Sequence, residues 1–478
     1  MYITTTIPYV NARPHLGHAL ELVQGDVLAR HHRRRGEPVR FQTGTDDNSL
    51  KNVLAAEAEG VPVRELVDRN AAAFEGLRGP LDLSFDNFIR TSSHPGHRAG
   101  VERIWRAVAH DLYRRHYEGL YCVGCEQFYA EGPCPEGHRE PLQTVSEENW
   151  FFRLSRYQDV LTELIRGGRL RIEPVARRNE VLAFVEAGLA DISVSRSAAR
   201  ARGWGIPVPD DPAQVVYVWW DALANYITAL DGGDFDRWWV TERRKAHLMG
   251  KGVIRFHAVY WPAMLLSAGL PLPTEIFVHD YLTVAGQKIS KSSGGAVDPV
   301  ALVDAYGTDA VRWWLLREVP RVGDADFTEE RLIARADEDL ANGLGNLVSR
   351  VVTMVCRFLD GHVPAPGEEL AEVSGTVSDT VHAALEHYDF RRAAAAVWTI
   401  VEEANRYVER TQPWRQDRAG REASLGTLVH ACRALAVQLE PFLPTAAARV
   451  AAAVGGDRLA RPAPLYPRLA VDGGRVGV

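Results

Sequence analysis

The chain has 478 residues, enough for roughly two to four domains, with 46% hydrophobic and 24% charged residues and a net charge of −7. These proportions exclude a disordered chain or a disulfide scaffold, and the acidic balance argues against a protein that coats nucleic acid non-specifically. No apolar run reaches the roughly 18 residues of a membrane span, and the start, MYITTTIPYV, lacks the order of a signal peptide, so a cytoplasmic location is expected.

Residues 2–10 form a short β-branched run, followed by Asn11-Ala12-Arg13-Pro14 and a helical pattern over 15–34. A second apolar strand over 38–43 leads into Gly44-Thr45-Asp46 and another helical stretch. Such alternation predicts a parallel α/β sheet with its site at the carboxyl ends of the strands. A cysteine cluster interrupts the pattern, and strand-like segments at 150–152 and 215–218 follow it. The α/β pattern resumes with a helix over 221–230, the apolar 247–251 segment, a helix near 261–268 and a strand over 276–278. From about residue 329 the chain turns strand-poor and alanine-rich, with helical spacing over 340–358, 383–410 and 425–454. The tail after Gly455 is expected to be loosely packed.

The chain carries 50 arginines but five lysines, Lys51, Lys245, Lys251, Lys288 and Lys291. Lysine kept against that bias suggests a compact, mobile ammonium that a rigid guanidinium fork cannot replace. Two of the five fall in Gly286-Gln287-Lys288-Ile289-Ser290-Lys291-Ser292-Ser293-Gly294-Gly295, whose ammonium groups and backbone N–H donors suit a polyphosphate leaving group. The plain alternative is a solvated turn. Pro14-His15-Leu16-Gly17-His18 opens the first helix, where two imidazoles can bond phosphate oxygens and the helix dipole favours an anion. Its alternative is a pair of capping histidines. Cys122, Cys125 and Cys134 crowd together ahead of His138, which suits a structural Zn²⁺ site of three thiolates and one imidazole.

The histidine and lysine motifs together resemble the His-Ile-Gly-His and Lys-Met-Ser-Lys-Ser signatures of class I aminoacyl-tRNA synthetases. The resemblance narrows to the methionyl-tRNA synthetase family through Ile7-Pro8-Tyr9-Val10-Asn11, Gly44-Thr45-Asp46 and Tyr121-Cys122-Val123-Gly124-Cys125-Glu126. Tyr217-Val218-Trp219-Trp220-Asp221-Ala222-Leu223 and Phe256-His257-Ala258-Val259-Tyr260-Trp261-Pro262 carry it further, so that it extends over nearly the whole chain. It implies an α/β fold with a split Rossmann-type parallel sheet, an inserted zinc-knuckle domain and a C-terminal α-helical bundle. The expected division is a catalytic domain in two halves, 1–113 and 218–270, an insertion at 114–217, a lysine-loop and stem-contact region at 271–328, and an anticodon-binding-like domain at 329–478.

By the same resemblance, His15 and His18 would stabilise the α-phosphate of ATP during attack by an amino-acid carboxylate, with Gly17 and Ser290 also at the nucleotide. Lys288 and Lys291 would hold the β- and γ-phosphates together with Mg²⁺. Asp46 would pair with the substrate α-ammonium, its alternative being a helix cap. Ile7, Tyr9, Trp219, Ala222, Leu223, Tyr226, Val253, His257 and Trp261 would form the side-chain pocket, an aromatic environment suited to a thioether. Without the family match, Tyr226 and Trp261 would read as ordinary core. Asn346, Arg350 and Trp414 match anticodon-reading positions that stack on and bond unpaired bases, against a helix cap and a buried Trp as the alternative. The implied partners are ATP, an amino acid and tRNA, with no DNA, no membrane and a monomeric state.

Four features depart from the family pattern. Asp47-Asn48-Ser49 stands where Glu-His-Gly is usual, Gly252 replaces an Asp, Gly295 replaces an Asn, and three residues rather than two separate Cys134 from His138. A methionine–tRNA ligase is the leading reading. The alternative is a biosynthetic ligase that delivers an activated amino acid to a small hydroxyl, amine or hydroxylamine without tRNA. A non-catalytic tRNA-binding paralogue is a third, disfavoured by the intact histidine and lysine motifs.

Overall fold

The computed structural model describes residues 1–122, 127–129, 134, 141–288, 297–367, 369–461 and 463–469. They fall into two compact units: Met1–Pro14, Glu37–Gly76 and Phe85–His279 form the first, and His15–Gly36, Leu77–Ser84 and Asp280–Val478 the second.

The first unit is built on a six-stranded parallel sheet. Its strands run in the order β3 (Asn87–Arg90), β2 (Arg40–Thr45), β1 (Tyr2–Thr5), Lys245–Gly250, Glu275–His279 and Arg171–Glu173. All four residues of β1 are buried, as a strand covered on both faces requires. Chain order runs outward from β1 through β2 to β3 on one side and from Lys245–Gly250 to Glu275–His279 on the other, so the carboxyl ends of the β1 and Lys245–Gly250 pair form the topological switch point. Arg171–Glu173 comes from the 114–217 segment yet pairs with Glu275–Phe277 at the sheet edge. The rest of that segment includes an antiparallel sheet in which Leu112–Cys122 is flanked by Gln127–Tyr129 and Gln143–Phe152.

The second unit joins α1 (Leu16–Arg34) to the carboxyl-terminal helices. Glu329–Arg335 continues through a π-helical stretch, Ala336–Gly345, into Asn346–Leu359. The helix expected over 383–410 is two helices, Ala371–Glu386 and Phe390–Thr411. Tyr388 between them takes φ +54°, which ends the first, and the Asp389 carboxylate caps the second by accepting from Arg392 N–H at 3.0 Å. The 425–454 stretch likewise divides into Arg418–Leu439 and Pro444–Val454, where Pro444 sits in the first turn of the new helix.

The expected loose tail is corrected as far as residue 469. Leu459 and Leu465 are buried, and the Tyr466 hydroxyl donates to Asp309 Oδ2 at 2.9 Å. Apolar burial and a satisfied polar contact hold this segment against the helices. Among the described residues, no helix is long and apolar enough to cross a membrane.

Candidate active site

The residues singled out in the sequence divide between the two units. In the first, β1 is followed by a chain that rejoins the sheet at an isolated parallel bridge between Tyr9 and Asp46. Asp46 N–H donates to Pro8 O at 2.9 Å, so Tyr9 and the buried Asp46 lie side by side beyond β1 and β2. Gly44 is required just before this point, because a Cβ there would lie 2.1 Å from Ile89 O on β3. Ile7 packs in a small apolar cluster with Ile89, Ala222 and Ala229.

The helix Val218–Thr228 supplies Trp219, Ala222, Leu223 and Tyr226. Opposite stand Val253 and His257, the latter within a π-helical turn, Phe256–Tyr260, that runs into the helix Trp261–Ser267. His257 Nδ1–H donates to Val253 O at 2.9 Å. The other ring nitrogen, Nε2, lies 2.8 Å from the Tyr226 hydroxyl. Tyr226 also stacks on His247 at 4.1 Å between centroids and lies 6.0 Å from Trp261. Trp219 stacks on Phe256 at 3.7 Å and meets Tyr9 edge-on at 6.1 Å. The structure thus gathers Tyr9, Trp219, Tyr226, His257 and Trp261 into one aromatic network. The indole Nε1 atoms of Trp219 and Trp261 are buried there with no hydrogen-bond partner among the described residues.

Sequence reasoning misses His247, because one histidine in an apolar strand carries no local signal. Its Nδ1 lies 2.6 Å from Thr4 Oγ1, and burial, aided by His257 and Lys245, pushes its pKa well down, so the ring is neutral.

The departures at 47–49 are structurally integrated. Asp47 accepts from Thr45 Oγ1 at 2.8 Å and Ser92 Oγ at 2.7 Å and pairs with Arg90 at 3.0 Å. Burial nonetheless raises its pKa above the ordinary carboxylate value. Ser49 caps the helix Leu50–Glu59 by accepting from Lys51 N–H. Asp46 is not that helix's cap, so the capping alternative for Asp46 falls away.

In the second unit, His15 is the N-cap of α1. Its Nδ1 accepts from Gly17 N–H at 3.1 Å, His18 Nδ1 accepts from His15 N–H at 3.1 Å, and the two rings stack at 3.8 Å. Each neutral ring therefore carries its proton on Nε2, which is a donor fit for a phosphate oxygen. A Cβ on Gly17 would lie 3.0 Å from His15 Cε1, so glycine lets the ring fold over the helix start. The capping alternative and the anion-binding reading coexist here: the caps use Nδ1, and Nε2 keeps the opposite role.

Leu16 N–H donates to Val297 O at 3.0 Å, which ties the start of α1 to the end of the lysine segment. That segment begins in a hairpin, Leu282–Val284 with Gln287–Lys288, whose two turn residues Ala285 and Gly286 both have positive φ. Asp326 holds the turn by accepting from Thr283 Oγ1 at 2.6 Å and Gly286 N–H at 2.9 Å. Lys288 pairs with Thr283 in this hairpin, whereas Ser290, Lys291 and Gly295 lie outside the described residues.

Cys122 and Cys134 are both buried, and Cys122 ends its strand opposite Gln127. Cys125 and His138 lie outside the described residues, and no metal-binding cluster occurs among the described ones. Asn346 and Arg350 share a face of their helix, with Arg350 paired to Glu409 at 2.8 Å. Trp414 is not buried: at 39% exposure it is among the few exposed large apolar side chains of the described residues.

The sequence matches the family model for tRNA synthetases class I (M) over residues 1–144 and 138–352, and the anticodon binding domain of methionyl tRNA ligase over 361–471. The chain belongs to the methionyl-tRNA synthetase family. It is 39% identical to the methionine–tRNA ligase of Brucella suis, over 98% of this chain and 97% of that one. The Mycobacterium tuberculosis methionine–tRNA ligase is 41% identical over 94% and 91% of the two chains. The crystal structure of the Mycobacterium tuberculosis methionyl-tRNA synthetase bound by methionyl-adenylate superposes with a TM-score of 0.91 at 37% identity, covering 98% and 99% of the chains. The family's α/β fold with a parallel sheet and a helical carboxyl-terminal region is the fold found here.

Proposed function

We propose that the chain ligates methionine to tRNA in two steps. The methionine carboxylate attacks the α-phosphorus of Mg²⁺–ATP and expels pyrophosphate, giving methionyl-adenylate. A hydroxyl of the tRNA 3′-terminal adenosine then attacks the activated carbonyl, loses its proton and expels AMP. No protein nucleophile is needed, so positioning and charge stabilisation carry the catalysis. His15 and His18 donate from Nε2 to the α-phosphate, near Gly17. Lys288, Ser290 and Lys291 hold the leaving pyrophosphate. Asp46 pairs with the α-ammonium, and Ile7, Tyr9, Trp219, Ala222, Leu223, Tyr226, Val253, His257 and Trp261 enclose the thioether.

The observation that carries the reading is the joint match to a class I synthetase model and to the anticodon-binding model of methionyl tRNA ligase. A ligase serving a small acceptor has no need of the second. Asn346, Arg350 and the exposed Trp414 are the residues assigned to the anticodon. The same reading divides the chain into the five segments given above, with the insertion braced by Zn²⁺. The buried thiols Cys122 and Cys134 suit that ion, with Cys125 and His138 as the further ligands. Zn²⁺ would supply a structural cross-link and no chemistry. The location is cytoplasmic and the enzyme a monomer.

Charging of tRNA transcripts tests the proposal. A transcript with a CAU anticodon should accept methionine, and one with an altered anticodon should accept it far more slowly. Equal charging of both, or transfer only to a small acceptor, contradicts it.

A further inference from the structure

The helix Val218–Thr228 is moored to the sheet near its carboxyl end. Tyr2 Oη donates to Tyr226 O at 2.9 Å, and Gln42 Nε2 donates to Asn225 Oδ1 at 3.1 Å. A different set of contacts holds the turn that bears Trp219, Ala222 and Leu223. Asp221 in that turn is buried; its Oδ1 lies 2.5 Å from His97 Nε2, and its Oδ2 accepts from Asn48 Nδ2 at 2.7 Å. Because a carboxylate only accepts, His97 donates to Asp221 from Nε2–H, and its Nδ1 lies 2.6 Å from Thr228 Oγ1. His97 opens the helix His97–Ala107, which packs tightly on Val218–Thr228: a Cβ on Gly100 would lie 2.3 Å from Thr228 Cγ2.

Asn48 faces both ways. Its side-chain amide holds Asp221, while its backbone N–H donates to Asp46 Oδ1 at 3.1 Å. One residue thereby orients the carboxylate assigned to the substrate ammonium and fixes the turn assigned to the substrate side chain. We propose that Asn48 is a positioning residue for the amino acid: through Asp221 and His97 it sets the spacing between Asp46 and the Trp219–Leu223 wall, and so governs methionine affinity. This rests on the function proposed above and adds to it a specific use for a position where the chain departs from its family.

The test is steady-state ATP–pyrophosphate exchange with the full-length enzyme, reading KM for methionine and for ATP separately, with thermal unfolding of each variant alongside. Asn48→Asp is isosteric but turns the donor into an acceptor facing Asp221, and Asn48→Ala removes the donor without adding charge. Both should raise KM for methionine about tenfold or more and leave KM for ATP within about twofold. In the double variant N48D/D221N the polarity of the bond is reversed: the amide introduced at position 221 donates to the carboxylate introduced at position 48, while the carbonyl of that amide still accepts from His97 Nε2–H. That swap should bring KM for methionine back to within about threefold of wild type.

An unchanged methionine KM in both single variants, a parallel rise for both substrates, or a swap no better than N48D overturns the proposal. A wild-type enzyme that shows no exchange with methionine overturns the functional reading and this inference with it. Wild-type exchange with unaffected single variants overturns the inference alone.

Discussion

Arg312 Nη2 lies 2.9 Å from Asp26 Oδ2, with both side chains fully buried. The guanidinium also donates to the carbonyls of Leu81, Pro441 and Phe442, and Asp26 accepts from Ser84 N–H, Ser84 Oγ and Arg30 Nε. Every element meeting here, α1 included, belongs to the second unit. Removing one partner of such a pair strands a buried charge, so Arg312→Met should lower stability by about 3–5 kcal/mol in urea unfolding. Arg312→Lys should recover little, because one ammonium cannot reproduce the planar fork.

The Tyr226–His257 bond gives a second prediction. Tyr226→Phe removes the hydroxyl bonded to His257 Nε2 while keeping the ring stack on His247. At about 1 kcal/mol for one hydrogen bond, KM for methionine should rise roughly fivefold, with KM for ATP unchanged. A matching rise for ATP contradicts the assignment of Tyr226 to the amino acid.

His31 makes stability depend on pH. Its Nε2 lies 3.1 Å from His382 Nδ1, with His32 packed alongside and Glu386 3.8 Å from His32. Burial first, then His32, Arg34, His382 and Arg35, pushes the His31 pKa down from the ordinary 6.5 to about 3. Between these values the unfolded chain binds the extra proton. Stability should therefore fall as pH drops from about 6.5 toward 3, by up to about 1.4 kcal/mol per pH unit for this one group. Denaturation of wild type and His31→Gln at pH values of about 7.5 and 5.5 checks it, since those points straddle the ordinary histidine pKa. The variant should show the shallower dependence.

The anticodon assignment rests on Trp414. Stacking on a base is worth about 1–3 kcal/mol, so Trp414→Ala should lower kcat/KM for tRNA charging roughly five- to 150-fold. ATP–pyrophosphate exchange, which needs no tRNA, is the internal reference. An equal fall in both reactions places Trp414 in stability rather than recognition.

The parallel sheet, the helix opened by His15 and the helical last third were legible because each rests on local periodicity and a turn. What escaped depends on distant partners. Tyr388 itself does not announce a helix break, since a non-glycine residue at φ +54° is held there by its surroundings, and the one local signal is the capping Asp389 beside it. The anchoring of Tyr466 on Asp309 joins residues 157 apart in sequence. The aromatics assigned to the pocket stand out only through family motifs, because spacing alone cannot separate a binding wall from core. His97 lacks even that cue: its role arises only where Asp221 and Thr228 converge on it, with Asn48 on the other oxygen of Asp221. Asn48 shows in the sequence only as a departure, and its bond to Asp221 gives the departure a function.

Activation of methionine is the reaction on which the other assignments depend, and ATP–pyrophosphate exchange with purified protein across the twenty amino acids tests it most directly, since no acceptor is assumed. Exchange with methionine alone is the predicted result. Exchange with a different amino acid, or with none, contradicts it.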